Sequence, residues 1–324
     1  MKILVCGGAG YIGSHMVRTL VANGHEAVIF DNLSTGHPES IPGLPLVQGD
    51  LLDSRALLQA FEHHSVDAVM HFCARSLVSE SMSEPNAYYQ NNVAGTLNLL
   101  DAMRRAGVDK LVFSSTAAIF GQPQSDVIDE THPTVPINPY GASKLMVERM
   151  LADAASAYGL RSVTLRYFNA AGADPDGDIG ESHQPETHLI PNVLRSVLGR
   201  GDGLKVFGTD YPTADGTCVR DYIHVNDLTS AHLCALQFMR AHTGAHAFNL
   251  GNGCGFSVLE VIESAQRVTG ARIEFERAPR RAGDPAVLVA SSAKAREQLG
   301  WEPVYTGMDE IIATAWRWHR DQRY

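Results

Sequence analysis

Cysteine, lysine and long apolar runs are all scarce in this chain, and each scarcity excludes a class of protein. The 324 residues include five cysteines, at positions 6, 73, 218, 234 and 254, without any C-x-x-C spacing. This pattern argues against a disulfide framework or a cysteine-ligated zinc site, and it favours a reducing compartment. No apolar run reaches the length that spans a membrane, and no signal-peptide pattern precedes the first apolar stretch. We therefore expect a cytoplasmic protein without a membrane segment.

Basic residues are also few, and they do not cluster. Lys and Arg total 26 against 36 Asp and Glu, which gives a net charge of −10. A nucleic-acid-binding protein usually shows a basic run or face, so we expect no nucleic-acid partner. The fourteen histidines raise the question of a metal, but no H-E-x-x-H or similar ligand spacing occurs, and we expect no metal site.

The first half of the chain alternates short apolar runs with helical patterns. Such alternation predicts an α/β protein whose parallel sheet is covered on both faces. The predicted strands are 2–6, 26–30, 46–50, 67–74, 110–115 and 161–168, and the predicted helices are 11–23, 53–63, 84–106 and 139–158.

The amino-acid composition of the chain changes after position 169. Residues 170–187 are rich in Gly, Asp and Pro and predict a long loop, which is uncommon unless it is functional. We predict a nucleotide-binding domain over 1–169, to which the chain returns around 220–250. A smaller mixed α/β domain over 170–324 is expected to bind the substrate.

A glycine loop follows the first predicted strand directly and opens the first helix. Gly7, Gly10 and Gly13 follow a G-x-x-G-x-x-G spacing. Glycines at such positions allow a tight turn, a close approach of backbone to a pyrophosphate, and contact between helix and strand. The context therefore predicts a dinucleotide site.

Asp31 ends the second predicted strand, 21 residues after Gly10. In a dinucleotide fold such a carboxylate accepts hydrogen bonds from the adenosine ribose and repels a 2′-phosphate. No Lys or Arg occurs between positions 31 and 41 to pair with that phosphate. We therefore predict NAD rather than NADP.

Tyr140 and Lys144 lie four residues apart in "NPYGASK" and share one face of a predicted helix. A free tyrosine is a poor base at neutral pH, but a neighbouring ammonium favours its phenolate. Tyr140 could then take a proton from a substrate hydroxyl as a hydride leaves the same carbon. Thr116, at the end of the fifth predicted strand, could bind the reacting oxygen and pass the proton to Tyr140.

These features, in this order, resemble the extended short-chain dehydrogenase/reductase superfamily. Longer stretches are similar to the UDP-glucose (UDP-galactose) 4-epimerases, from Lys2 to about Trp301. They are "GGAGYIGSH", "DNLSTG", "YYQNNVAGTLNLL", "FSSTAAIFG", "NPYGASK", "RYFNAAGA", "FGTDYPTADGTCVRDYIHVNDL" and "APRRAGDP".

The resemblance implies a Rossmann-type doubly wound parallel sheet with a smaller mixed α/β domain for a UDP sugar. It implies that Tyr140 removes the proton of the C4 hydroxyl while the C4 hydride passes to tightly bound NAD. The 4-keto sugar then rotates and is reduced on its opposite face. It also implies a homodimer paired through the two long helices.

The resemblance further assigns residues to each ligand. Lys144 and Thr116 join Tyr140 in catalysis. On the cofactor side it implies Gly7, Gly10, Tyr11, Ile12, Gly13, Asp31, Asn32, Asp50, Leu51, Phe72, Cys73, Ala74, Asn91, Ser114, Tyr140, Lys144 and Tyr167. On the substrate side it implies Thr116, Tyr140, Asn169, Leu189, Phe207, Arg220, Arg281 and Asp284.

Three positions depart from the family pattern. Ser76 stands where the family often has a lysine, and Cys6 replaces a threonine. Leu288 is intermediate between the aromatic residue that excludes an N-acetyl group at C2 of the sugar and the small residue that admits it. We expect UDP-glucose and UDP-galactose as the main substrates, with UDP-N-acetyl sugars left open.

Other functions are known on the same fold, and the sequence bears on each of them differently. A sugar-nucleotide 4,6-dehydratase needs acids beside the active threonine, but Ala117 and Ala118 follow Thr116. A 4-epimerase of another UDP sugar, such as a pentose or uronic acid, and a uronic-acid decarboxylase differ in pocket shape, which a sequence shows poorly. An NAD-binding regulator without catalysis would usually have lost Tyr140 or Lys144.

Overall fold

The computed structural model describes residues 1–201, 203–281 and 284–324. The strands of the described residues are β1 Lys2–Cys6, β2 Glu26–Asp31, β3 Leu46–Gln48, β4 Ala68–His71, β5 Lys110–Thr116, β6 Val127–Ile128, β7 Arg161–Tyr167, β8 Asn169–Ala171, β9 Leu204–Phe207, β10 Val219–His224, β11 Ala245–Leu250, β12 Gly255–Ser257, β13 Phe275–Ala278 and β14 Val287–Ala290.

The α-helices of the same residues are α1 Tyr11–Ala22, α2 Ser54–His63, α3 Val78–Ser83, α4 Pro85–Tyr88, α5 Gly95–Ala106, α6 Pro139–Tyr158, α7 Leu189–Val197, α8 Val225–Phe238, α9 Val258–Thr269 and α10 Met308–Arg320. Short 3-10 turns cover Pro38–Ser40 and Ala117–Phe120, and π turns cover Tyr89–Ala94 and Ala295–Leu299. None of the helices in the described residues combines the length and apolarity that crossing a bilayer requires.

Seven strands form one sheet in the order β11-β7-β5-β4-β1-β2-β3, and every neighbouring pair is parallel. The predicted α/β class with a parallel sheet is therefore confirmed. Alternate residues of a strand point to opposite faces, so Ile3 and Val5 pack with α1 and α8 while Leu4 packs with α2, α5 and α6. Burial on both faces explains why the strands read as nearly continuous apolar runs.

The chain reaches this sheet again late in the sequence. β11 pairs with β7 from Ala245 against Ser162 to Leu250 against Tyr167. Most of the later strands form separate, smaller sheets: one has the order β12-β10-β14-β6 with β8 beside β10, and one pairs β13 with β9. The domain limits drawn from the sequence remain a prediction.

Two predicted elements were wrong in their extent. The single helix over 84–106 is broken, because a π turn over Tyr89–Ala94 separates α4 from α5. That turn presents the Asn92 side chain to Arg75 and Ser143. The strand over 67–74 ends at His71, where the chain leaves the sheet to pass the glycine loop.

Candidate active site

The glycine loop lies at the carboxyl end of β1, where strand, turn and α1 meet. A Cβ on Gly13 would lie 2.0 Å from the Gly7 carbonyl oxygen, and one on Gly7 would lie 2.8 Å from the Cys73 backbone nitrogen. Gly7 also has a φ of 81°. Sterics therefore exclude a side chain at both positions, and at Gly7 the backbone conformation excludes one as well. Gly10 is the N-cap of α1 and supplies no side-chain cap, so the first N–H groups of the helix remain available for an anion.

Asp31 is buried at the end of β2, beside this loop. One carboxylate oxygen accepts a hydrogen bond from the Ala9 N–H at 2.9 Å, and the other accepts from the Leu33 N–H at 2.8 Å. Nearby, the Asn32 amide donates to the Asp50 carboxylate at 2.8 Å. Three of the polar residues predicted for the cofactor, Asp31, Asn32 and Asp50, therefore lie next to one another after β2 and β3.

Leu51, Ile12 and Tyr11 complete this region. The side chain of Leu51 is buried, and its carbonyl accepts a hydrogen bond from Asn98 at 3.0 Å. Ile12 packs against the core cluster under α1. The Tyr11 hydroxyl donates to the Gly172 carbonyl at 2.7 Å and so ties the glycine loop to the segment after β8.

Tyr140 lies in the first turn of α6, which Asn138 caps by accepting a hydrogen bond from the Gly141 N–H. Burial raises the pKa of Tyr140, and a hydrogen bond with Thr116 lowers it in part. Thr116 is buried at the carboxyl end of β5, where its hydroxyl also accepts from the Ala118 N–H. The predicted base and the predicted hydroxyl relay are therefore in contact.

Lys144 is buried one turn further along α6. Its ammonium donates to the Ser114 carbonyl at 2.8 Å and lies 4.7 Å from the Phe113 ring centre. Burial lowers the pKa of Lys144 to about 7, against the raising effects of Cys73 and Glu148. The ammonium is thus fixed on β5 and faces the same strand end as Tyr140.

Ser114 also anchors two aromatic side chains. Its hydroxyl lies 3.3 Å from His232 Nε2, while His232 Nδ1 donates to the Leu228 carbonyl at 2.7 Å. Burial lowers the pKa of His232 to about 4, so the ring is neutral and its Nε2 accepts the hydrogen bond. Tyr167 hydrogen-bonds with Ser114 as well, and burial raises its pKa.

The segment after β4 runs along the glycine loop. Phe72 donates its N–H to the Cys6 carbonyl at 2.8 Å and packs 4.8 Å from the His232 ring. Cys73 follows, with a thiol whose pKa is raised by burial, and Ala74 is half-buried. Asn91 donates its side-chain amide to Asn92 at 2.9 Å.

Sequence reasoning missed a buried ion pair behind Lys144. Arg166 on β7 lies 2.6 Å from Glu148 on α6, and each side chain is 10% exposed. Ser115 donates to the same carboxylate at 2.6 Å. The available signal was the position of Glu148, four residues after Lys144 and hence on the same helix face.

The predicted substrate residues lie around β10 and the neighbouring small sheets. Asn169 at the start of β8 donates to the Asp221 carbonyl at 2.8 Å. The Arg220 guanidinium lies 2.9 Å from the Asp284 carboxylate, and the Arg220 side chain is 12% exposed. Most arginines are solvated at the protein surface, and Arg220 is not one of them.

A second arginine and two apolar residues border this group. The Arg281 guanidinium lies 4.2 Å from the Phe207 ring centre. Leu189 is the first residue of α7 and packs against the core of the smaller sheets. Leu288 pairs with Arg220 in the β10–β14 register.

These residues fit a dinucleotide. The uncapped start of α1 suits a pyrophosphate, the close glycine–glycine approach leaves room for it, and Asp31 stands where a ribose acceptor is needed. The carboxyl edge of a parallel sheet is also where such ligands bind.

Comparison with known proteins agrees with this geometry. The model of the NAD dependent epimerase/dehydratase family matches residues 3–251. The chain belongs to that family. A UDP-glucose 4-epimerase of Lacticaseibacillus casei is 52% identical over 322 residues, which cover 99% of this chain and 97% of the relative.

Solved structures of epimerases in this family share the fold over nearly the whole chain. UDP-glucose 4-epimerase from Brucella ovis, in complex with NAD, is 49% identical with a TM-score of 0.95 and covers 97% of both chains. The enzyme from Bifidobacterium longum, in complex with NAD+ and UDP, is 37% identical with a TM-score of 0.95 and covers 99% of both chains. Membership of the NAD dependent epimerase/dehydratase family confirms the superfamily resemblance and the NAD cofactor predicted from the glycine loop and Asp31.

Proposed function

We propose that this chain is a UDP-glucose 4-epimerase, which interconverts UDP-galactose and UDP-glucose through a transient 4-keto sugar. The observation that carries the proposal is the contact between Tyr140 and Thr116 at the carboxyl edge of the sheet, beside the glycine loop. The 52% identity to the Lacticaseibacillus casei enzyme over 99% of the chain supports this choice of sugar nucleotide.

In the proposed reaction, Tyr140 holds the proton that leaves the C4 hydroxyl of the sugar. NAD, when bound, supplies a reversible acceptor for the hydride at C4 of the sugar. The phenolate of Tyr140 accepts the proton of the C4 hydroxyl. Tyr140 returns this proton after the keto sugar has rotated to present its opposite face. Thr116 binds the reacting oxygen and orients it towards the phenol, because its hydroxyl already lies in hydrogen-bonding reach of Tyr140.

Lys144 favours the phenolate in this proposal. Burial raises the pKa of Tyr140, so an unassisted phenol would stay protonated at neutral pH. When Lys144 is protonated, as it is below its pKa of about 7, its positive charge one helical turn away opposes that effect. The Ser114 carbonyl holds the ammonium in place for this task.

The remaining predicted residues bind the two ligands. We assign the uncapped start of α1 to the pyrophosphate of NAD, and Asp31, Asn32, Asp50 and Leu51 to its adenosine half. We assign Arg220 and Arg281 to the pyrophosphate of the UDP sugar, with Leu189, Phe207 and Asp284 beside its nucleoside. Guanidinium groups suit this role in an acidic protein because each can donate two parallel hydrogen bonds.

The proposal extends to assembly and location. Leu97 on α5 and Met146 on α6 are 58% and 47% exposed, which favours a homodimer through these helices. The five cysteines are all unpaired among the described residues, which favours a reducing, cytoplasmic environment. Sedimentation of the purified protein tests the dimer.

The first experiment mixes purified protein with UDP-galactose, without added NAD, and follows the anomeric proton of the sugar by NMR. We expect UDP-glucose to appear to a steady ratio without build-up of NADH. Tyr140→Phe should reduce the rate by about 10²–10⁴-fold. Tyr158→Phe, on the exposed end of the same helix, is the matched control and should keep full activity.

Two outcomes would count against the proposal. Absence of conversion even with added NAD would remove the glucose and galactose assignment and direct attention to pentose or uronic-acid UDP sugars. Full activity of Tyr140→Phe would remove the role of Tyr140 as the base.

A further inference from the structure

Four side chains in the segment between β8 and α7 converge on one point, and none of them is among the residues proposed for catalysis or ligand binding. They are Glu181, His183, Glu186 and His188. Each offers one potential ligand atom, and these four atoms lie within 4.8 Å of one another. Their order, E-x-H-x-x-E-x-H, matches none of the metal motifs sought in the sequence, which is why the sequence predicted no metal.

The distances suit a small cation at the centre of the cluster. Glu181 Oε1 lies 2.7 Å from His188 Nδ1 and 3.0 Å from His183 Nδ1. Glu186 lies 3.0 Å from His188 Nδ1 and 4.0 Å from His183 Nδ1. Ligands at 2.0–2.1 Å from a tetrahedral zinc ion are about 3.3–3.4 Å apart. The observed separations bracket this value.

Burial makes a counter-charge necessary. The side chains of Glu181 and Glu186 are 5% and 3% exposed. Burying a carboxylate is costly unless a cation compensates it. Within the described part of the chain, the ion-pair partners of these two carboxylates are His183 and His188. Arg195, Arg200 and His319 line the adjoining cavity without pairing with them.

The imidazole geometry favours a metal over a pair of imidazolium ions. Both rings turn the same nitrogen, Nδ1, towards Glu181 Oε1, and their centres are 5.4 Å apart. Two positive rings sharing one oxygen would repel each other, so without a metal at most one of the two rings would carry a proton charge. A divalent ion compensates both carboxylates while His183 and His188 stay neutral, which is the form that binds metals.

Glu186 is also held as metal-binding carboxylates commonly are. Its Oε1 accepts hydrogen bonds from the N–H groups of Thr187 and His188, each at 2.8 Å. Such secondary contacts orient a carboxylate before the ion binds.

We propose that Glu181, His183, Glu186 and His188 bind one divalent transition-metal ion, with zinc as the best fit. Two imidazoles and two carboxylates form a donor set that zinc accepts with tetrahedral geometry. Four protein ligands close the coordination sphere, so the ion is structural rather than catalytic.

The ion would fasten the loop to the cofactor side of the fold. The His183 ring packs edge-on against Tyr11 of the glycine loop, with ring centres 6.4 Å apart. His37, which follows β2, lies 3.0 Å from the Ser182 carbonyl. These contacts join the metal-binding segment to the glycine loop and to the segment that follows β2.

The same ion would fix the start of α7, which carries the proposed substrate residue Leu189. Trp318 on α10 donates to the Glu181 carbonyl at 2.8 Å, and His188 is the N-cap of α7. Leu189, proposed to lie beside the nucleoside, follows the ligand His188 directly. A bound ion would thus set the position of α7 relative to the glycine loop.

The test measures metal in the untagged holoenzyme, purified without chelator and dialysed against metal-free buffer. Mass spectrometry of the elements should find one zinc ion per chain. The double variant His183→Gln/His188→Gln should hold at least tenfold less, and His63→Gln, an exposed histidine on α2, should hold as much as the wild type. A wild-type chain that stays metal-free after incubation with zinc and dialysis would overturn the proposal, as would a double variant with unchanged zinc.

A second set of measurements tests the geometry of the site and its effect on stability. After replacement of the bound ion by cobalt(II), the wild type should show the intense visible absorption of a tetrahedral site, and a weak octahedral spectrum would overturn the proposal. A chelator should lower the Tm of the wild type and leave that of the double variant unchanged. None of these measurements reads epimerase activity, so they stand or fall independently of the proposed function.

Discussion

The ammonium of Lys144 on α6 donates a hydrogen bond to the Ser114 carbonyl on β5 at 2.8 Å, in a buried position. Because the ammonium is buried, Lys144 makes the stability of the fold depend on pH. Burial lowers the pKa of Lys144 from 10.5 to about 7. Between these two values, the unfolded chain keeps a proton that the folded chain has released.

We therefore expect Lys144 to make the free energy of unfolding rise with pH from about 7 to about 10.5 in the NAD-free protein. Below about pH 7 both states are protonated, and this contribution no longer changes. Urea unfolding of wild type and Lys144→Met at about pH 7 and about pH 9 should show a smaller rise in the variant. Lys205→Met, a half-exposed lysine, should follow the wild type; equal slopes for all three proteins would contradict the assignment.

The buried pair of Glu148 and Arg166 predicts a large stability effect. Glu148→Gln leaves the guanidinium uncompensated and should cost about 3–5 kcal/mol of unfolding free energy. Asp153→Asn is a matched control on the same helix, since Asp153 pairs with Arg149 in an exposed position and should cost under about 1 kcal/mol. Urea unfolding measures the loss of unfolding free energy in each variant. Equal losses in the two variants would show that the buried pair stabilises the fold no more than the exposed pair does.

We expect the affinity for UDP to depend on Arg220. If Arg220 binds the pyrophosphate as proposed, removing its guanidinium should weaken UDP binding by about 10- to 100-fold, as the loss of charge-assisted hydrogen bonds implies. Calorimetric titration of UDP into Arg220→Met checks this. Arg267→Met, whose exposed side chain pairs with Asp309 on α10, should bind UDP as the wild type does. Unchanged affinity in Arg220→Met would place the pyrophosphate elsewhere.

We expect the side chain at position 288 to affect which UDP sugar the protein accepts. It lies opposite Arg220 in the β10–β14 register and packs against Ala117, Ile119 and Phe120 at the end of β5. Leu288→Ala should raise kcat/KM for UDP-N-acetylgalactosamine relative to UDP-galactose by about tenfold, and Leu288→Tyr should lower it by a similar factor. If the ratio stays the same in both variants, this side chain does not border C2 of the sugar.

Local sequence patterns were sufficient for the parts of the fold that depend on local chemistry. The glycine spacing predicted a tight turn between the first strand and the first helix, and the apolar runs predicted six of the seven strands of the parallel sheet. Tyr140 and Lys144 share a helix face because four residues make about one turn.

The rest depends on contacts between distant elements. Glu148 and Arg166 pair across a helix and a strand, and only the packed sheet shows that both are buried. The π turn before α5 coincides with bonds from Asn92 to Arg75 and Ser143, which the helical pattern does not contain. The converging glutamates and histidines near α7 depend on how an irregular loop folds back on itself.

The stretch from Tyr167 to Asn169 belongs to both sheets. Tyr167 ends β7 in the large sheet, and Asn169 begins β8, which pairs with β10 in a smaller one. With one residue between two strands, the chain has no slack to let the sheets swing apart at this point. If the chain is the 4-epimerase proposed above, this link holds the sheet beside the cofactor next to the sheet that carries the proposed sugar-binding residues. We expect the half-turn that exposes the other face of the keto sugar to be made by the sugar itself, between these two sheets.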